Sequence, residues 1–260
     1  MPKLAANLSM LFTELDFMSR FEAASNAGFR GVEYLFPYDF SAAEIASALE
    51  SNGLTQVLFN LPAGDWAAGE RGIACHPDRV EEFRSGVPRA IEYAHALNCE
   101  QVNCLVGKKP SDVSDEEAYQ VMIENLRFAA NELEAAGIRL VVEAINTIDI
   151  PGFFISNTKT ALQVLEDVGS DNLRYQYDIY HMQIMEGDIA RSLSTHLAQI
   201  GHVQLADNPG RHEPGTGELN YPFLLAHLDE LDYQGWVGCE YVPADGTVKG
   251  LGWLKQYNLI

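Results

Sequence analysis

Short apolar runs alternate along this chain with longer stretches in which apolar residues return at three- and four-residue steps. The first kind reads as buried strand, the second as one-sided helix. The runs are LAANLS, RGVEYL, LTQVLFN, QVNCLV, IRLVVEAI, LRYQYDIY, HVQLAD and WVGCEY, and the last four follow turn residues at Gly137, Asp171, Gly201 and Gly235. Helices are predicted between them over 14–27, 41–51, 78–97, 114–136, 158–168, 187–199 and 221–231, which reads as eight strand–helix units with no helix assigned after the eighth strand. Several helices end at a glycine or asparagine just before the next strand, as in NAGFRG, SNGLTQ and AAGIRL, where a left-handed cap residue is wanted. The loops entering the strands are therefore short, whereas those leaving them are long and irregular, at 61–77, 144–157 and 206–220. That asymmetry fits an α/β chain folded as a single (β/α)8 TIM barrel, and 260 residues suit it. No low-complexity linker, charge block or close repeat interrupts 1–260, so one domain is expected. A doubly wound sheet competes, because local patterns do not show whether a sheet closes.

The barrel gives meaning to four polar residues. Glu143, Asp178, Gln204 and Glu240 each stand at the carboxyl end of a predicted strand, in VVEA, YQYDIY, HVQLAD and VGCEY. One such residue alone is commonly a helix cap. Four of them on strands five to eight are neighbours around one rim and converge on the mouth where barrel active sites lie. Three carboxylates brought together there repel one another, and a divalent cation resolves the conflict. Three carboxylates and an amide form a hard, all-oxygen donor set, which suits Mg²⁺ or Mn²⁺ better than zinc or copper. Positions left open on an octahedral ion suit two oxygens of an α-hydroxy carbonyl, and a carboxylate with a free oxygen can act as base.

Charge narrows the partners. Thirty-seven acidic against 17 basic residues give a net charge of −20, a field that repels nucleic acid and anionic membranes. The start, MPKLAANLSMLF, lacks the features of a signal peptide, and no run reaches the length of a membrane span, so a cytoplasmic protein is expected. Cys75, Cys99, Cys104 and Cys239 are isolated and read as reduced core thiols.

Longer segments carry a family likeness: ANLSMLF, GFRGVEYLFPYDF, NLPAGDWAAGERGI, NCLVGK, YDIYHMQIMEG, ADNPGRHEPGTGELNY and GWVGCEY. Through them the chain resembles, nearly end to end, the hydroxypyruvate isomerases of the xylose-isomerase-like barrel superfamily. Relatives there include 2-oxo-tetronate isomerases and ketose 3-epimerases. The resemblance implies that Glu143 and Glu240 are paired catalytic glutamates and that Asp178 and Gln204 complete the metal shell. It also implies substrate contacts for His181 and Arg211. Those epimerases carry histidine where this chain has Gln204. The implied reaction moves a carbonyl between adjacent carbons of a small hydroxy-oxo acid by proton transfer through an enediolate, without a redox cofactor. The resemblance implies hydroxypyruvate or a four-carbon 2-oxo-tetronate as the substrate, with a hydride shift as the mechanistic rival.

Three ionised carboxylates exceed one divalent cation by one negative charge, so an anionic substrate needs positive or donor groups at the rim. Arg71, Lys108, His181 and Arg211 are the candidates. The GDWAAGERG loop reads as a lid with Trp66 excluding water and Glu70 in support. His202 is expected as a buried, hydrogen-bonded core histidine, and EPGTG as turn chemistry without the GK[ST] of a phosphate loop. Phe36, Tyr38 and Phe40 offer two roles, packing on a neighbouring subunit of a homo-oligomer or closing over the site. Seven histidines and a strongly negative charge oppose an endonuclease, which on such a barrel needs several zinc ions and a basic groove. A sugar-acid lyase would reveal itself by loss of water, and a non-catalytic binding module by ligand binding without turnover.

Overall fold

Eight parallel strands close into one barrel in chain order: β1 (Lys3–Asn7), β2 (Gly31–Glu33), β3 (Thr55–Asn60), β4 (Gln101–Cys104), β5 (Arg139–Glu143), β6 (Leu173–Asp178), β7 (Ile200–Leu205) and β8 (Trp236–Cys239). The structure is a computed structural model and describes residues 2–257. Closure is explicit in the β1–β8 pairing, Lys3 opposite Trp236 through Ala6 opposite Cys239, and it excludes the open doubly wound sheet. The strands are almost wholly buried because helices cover the outside and side chains fill the inside. The inner filling is small: Ala5, Val57, Leu58 and Val141, with Trp236 packed against them.

The helices are α1 (Ser19–Asn26), α2 (Ala42–Asn52), α3 (Val80–Ala96), α4 (Asp115–Ala135), α5 (Thr158–Val168), α6 (Ile179–Met185), α7 (Ile189–His196) and α8 (Tyr221–Glu230), followed by the short α9 (Thr247–Gly250) and α10 (Gly252–Gln256). Local chemistry sets several starts: Ser41 and Glu44 form a reciprocal capping box, and Ser114, Asn157 and Asn220 accept a backbone N–H of the first turn. Gly53 and Gly169 close α2 and α5 in the left-handed conformation.

Several predicted elements change. Residues 14–18 are turns and irregular chain, so the first helix begins only at Ser19. The run LRYQYDIY is strand only to Asp178, whose Oδ1 accepts the amides of Tyr180 (2.7 Å) and His181 (3.3 Å) and starts α6 at once. The predicted 187–199 helix divides into α7 and a 3₁₀ turn at Leu197–Gln199. All four cysteines are free and buried. Among the described residues no helix is long and apolar enough to cross a membrane.

Candidate active site

Every strand presents a polar side chain at or near its carboxyl end: Asn7, Glu33, Asn60, Asn103, Glu143, Gln176 with Asp178, His202 with Gln204, and Glu240 one residue beyond β8. Register makes the later ones meet. Glu143 pairs with Gln176 and Asp178 with Gln204, and the Glu240 amide donates to the Leu205 carbonyl at 3.1 Å. Glu143, Gln176, Gln204 and Glu240 all line one cavity of about 280 Å³, together with His181, Arg211, Arg71 and Trp66. Asp178 joins from the wall: its Oδ2 and Glu143 Oε1 each lie 3.7 Å from His181 Nε2, and ligating atoms of the three lie within 4.8 Å of one another.

The electrostatics are severe. Burial holds the Glu143 carboxyl well above the usual carboxylate range, and the charges of Glu240 and Asp178 push it further. Asp178 is raised by burial, against the pull of Arg211 and two backbone amides. Burial lifts Glu240 to about 8, although the Arg211 guanidinium stands 3.2 Å from its Oε1 and opposes the rise. His181 is held well below the ordinary imidazole value, first by burial and then by Arg211, so its ring is neutral.

The tautomer of that ring follows from its neighbour. Asn146 Oδ1 accepts the amides of Ile148 (3.0 Å) and Asp149 (2.8 Å), which turns the Asn146 NH₂ toward His181 Nδ1 at 2.6 Å. Nδ1 is then the acceptor and Nε2 carries the hydrogen, aimed between Glu143 and Asp178. Although His181 completes a compact triad with the two acids, it is set up as a donor, not as a metal ligand.

The oxygens fit a hard divalent cation. Asp178 Oδ2 is buried and has no hydrogen-bond donor, a costly state for a carboxylate oxygen. With Glu143 and Glu240 it forms an acidic group that burial pushes toward protonation, and a cation removes both costs. Gln204 Oε1 accepts Gln176 Nε2 at 2.7 Å and retains a second lone pair.

The four rim candidates separate. Arg211 enters the cavity, paired with Glu240 and lying over the Tyr180 ring at 5.1 Å. Arg71 also lines it, stacked 4.0 Å above the Trp66 ring, with Nη1 donating to the carbonyls of Trp66 and Glu70. Lys108 does not line the cavity: its ammonium lies 3.4 Å from the Gly69 carbonyl of the same loop as Trp66. Glu70 is likewise outside, bonded to Arg79 at 2.7 Å and tying the loop down. Trp66 meets Phe36 edge-on at 5.1 Å over the mouth, whereas Tyr38 packs on Phe59 and Tyr93, and Phe40 stacks on Phe17. His212 serves its own loop, bonded to the Val242 carbonyl at 2.7 Å.

A family model described as xylose isomerase-like TIM barrel matches residues 21–257. The chain belongs to that family. It is 54% identical over 258 residues to the hydroxypyruvate isomerase of Escherichia coli K12, covering 99% of this chain and 100% of that one. It is 49% identical to the 2-oxo-tetronate isomerase of Cupriavidus necator, with 99% of each chain covered. Like these relatives, the chain is an enzyme of the isomerase class. A crystal structure from Brucella melitensis titled AP endonuclease, family 2, superposes with a TM-score of 0.96 at 47% identity over 99% of each chain. D-psicose 3-epimerase of Clostridium cellulolyticum, at 18% identity and a TM-score of 0.77 over 95% of this chain and 88% of that one, shares the fold.

Within this family barrel, two functional-looking residues escaped the sequence reading. Glu33 ends RGVEYL as Glu240 ends VGCEY, so the same strand-end rule points to it. It is buried and accepts Asn7 Nδ2 (3.1 Å), Gln204 Nε2 (2.7 Å) and His202 Nε2 (2.7 Å). Gln176 stands two residues before Asp178, hence on the same face of β6, and its Oε1 is buried without a donor. His202 is the buried, hydrogen-bonded histidine expected of its position.

Proposed function

We propose that the chain isomerises hydroxypyruvate to 2-hydroxy-3-oxopropanoate, with Glu143 and Glu240 carrying the proton. The observation supporting it most directly is the placing of two buried glutamates together with Arg211 and Arg71 in a cavity of only about 280 Å³. That volume lies below the range of drug-sized pockets and suits a three- or four-carbon acid. The 54% identity to a hydroxypyruvate isomerase supports the same substrate.

In this reading Arg211 and Arg71 hold the substrate carboxylate, the bidentate partner that guanidinium groups favour. One glutamate takes the proton from C3, the carbon bearing the hydroxyl, and the electron pair moves into the C2 carbonyl to form an enediolate. A proton returns to C2, while the C3 hydroxyl proton passes to the C2 oxygen, leaving an aldehyde at C3. His181 Nε2–H donates toward the oxygen that gains negative charge. Glu143, Asp178, Gln204 and Glu240 would hold Mg²⁺ or Mn²⁺, whose charge offsets that of the developing oxyanion. Trp66 and its loop keep water from the intermediate.

The 49% identity to a 2-oxo-tetronate isomerase supports a second reading with a four-carbon acid. Comparing kcat/KM for hydroxypyruvate and 2-oxo-tetronate, with Mn²⁺ or Mg²⁺ supplied, decides between them; a higher value for the four-carbon acid overturns the first. Turnover in D₂O tests the chemistry, since product entirely free of carbon-bound deuterium points to a hydride shift.

A further inference from the structure

Glu33 lies across the barrel from Gln204, and β8 makes room for the contact. Gly238 is the register partner of Gln204, and a Cβ on it would overlap the Glu33 carboxylate. The missing side chain lets an acid from β2 reach an amide on β7, where Gln204 Nε2 donates to Glu33 Oε1 at 2.7 Å.

An amide has a donor end and an acceptor end, whereas an ionised carboxylate only accepts. Glu33 therefore selects which end of Gln204 faces β2. The NH₂ turns to Glu33, and the carbonyl oxygen turns the other way, where it takes Gln176 Nε2 at 2.7 Å. The rest of the network runs in the same direction. Gln101 Nε2 lies 3.4 Å from His202 Nδ1, which places the ring hydrogen on Nε2, and that nitrogen donates to Glu33 Oε2 at 2.7 Å. Asn7 Nδ2 adds a third donor at 3.1 Å. All three groups around Glu33 present hydrogens to it.

We infer that Glu33 is a positioning residue, which by accepting the Gln204 N–H holds the Gln204 carbonyl oxygen, instead of its NH₂, toward the cation site. This rests on the reading of the cavity oxygens as a cation site. An NH₂ has no lone pair to offer a cation, so a turned amide would remove one donor from the set.

Calorimetric titration of Mn²⁺ alone into chelator-stripped protein tests this in four chains: wild type, Glu33→Met, Gln204→Glu and the double variant. Glu33→Met keeps the side-chain length but offers at most a weak sulfur acceptor, and Mn²⁺ affinity is expected to fall about 10- to 100-fold, as when other outer hydrogen-bond partners of metal ligands are removed. Gln204→Glu presents oxygen whichever way it turns, so adding Glu33→Met to it, which also relieves the contact between two acids, lowers affinity by no more than about twofold, the limit of ordinary additivity. Equal losses in both backgrounds, or no loss in Glu33→Met, overturn the orienting role while the cation site stands. A wild-type chain that takes up no Mn²⁺ overturns the cation site and the orienting role together. Should Glu33→Met fail to fold, a crystal structure of the Mn²⁺-soaked wild type decides. Gln204 on the ion and hydrogen-bonded to Glu33 supports the assignment; Gln204 detached from either overturns it.

Discussion

Replacing Asp207 by asparagine should open the loop that carries Arg211. The buried Asp207 carboxylate gathers four backbone amides: Asn208 (2.9 Å) and Leu219 (3.0 Å) on Oδ1, and Gly215 (2.8 Å) and Gly217 (2.9 Å) on Oδ2. Asparagine keeps one oxygen and sets an NH₂ against the other two N–H groups, so whichever way it turns two bonds are lost. At roughly 1.5–3 kcal/mol for each hydrogen bond to a charged group, the cost is about 3–6 kcal/mol. Local opening caps what global unfolding registers at about 3 kcal/mol, because the loop can detach before the barrel does. The same loop holds Arg211 in a left-handed conformation at φ 53° and 3.2 Å from Glu240. Urea unfolding, amide exchange at Gly215 and Gly217, and kcat/KM on hydroxypyruvate read the three consequences. We expect lower stability, lost protection at both glycines and at least tenfold weaker kcat/KM, roughly 1.4 kcal/mol or more. A variant within about 1 kcal/mol of wild type, with both amides protected and kcat/KM unchanged, refutes the clasp.

Stripping divalent ions should abolish turnover, and Mn²⁺ or Mg²⁺ should restore it. At 100 times Kd the ion adds about 2.7 kcal/mol of stability, so scanning calorimetry should show Tm rising by about 5–10 °C; an unmoved Tm contradicts the site. Arg71→Ala should raise KM about 10- to 100-fold with a much smaller change in kcat, because the carboxylate it clamps keeps its charge throughout the proton transfer, so the clamp binds ground and transition states alike. A fall confined to kcat would assign Arg71 another role. Glu14 accepts the amide of Thr247 at 2.7 Å and its hydroxyl at 3.1 Å, and chiefly the backbone bond lowers its carboxyl pKa. A lowered carboxyl contributes stability that is fully present above its unfolded value of 4.5 and is lost as pH falls through the lower folded value. Glu14→Gln should therefore cost about 0.5–1 kcal/mol near pH 7, small because the group is largely exposed, and progressively less toward pH 3. A urea-unfolding difference that grows on acidification contradicts that sign.

Much was readable one residue at a time. The alternation of apolar runs with helical periodicity located all eight strands, since each is buried on both faces and so carries its own local signature. Glu143, Asp178, Gln204 and Glu240 were visible because a strand's last inward residue faces the mouth of a closed barrel. The helix α6 was missed because DIYH is as apolar as the strand before it. Its start depends on a single hydrogen-bonding choice, Asp178 turning one oxygen back to cap two amides. The same residue thus keeps its other oxygen for the cavity, and cap and site are not alternatives.

What the sequence determined by itself was the kind of groups available: acids and an amide at strand ends, glycines where the chain turns, a small set of arginines in the loops. Only the tertiary structure decided which of these groups face one another and with which atom. Lys108 and Arg71 look equivalent along the chain, yet the path of two long loops leaves one against the Gly69 carbonyl and brings the other into the cavity lining. The donor tautomer of His181 depends on Asn146, and the orientation of Gln204 on Glu33, 171 residues away. Hydrogen-bond direction belongs to a network, and the network exists only once β1 has closed against β8.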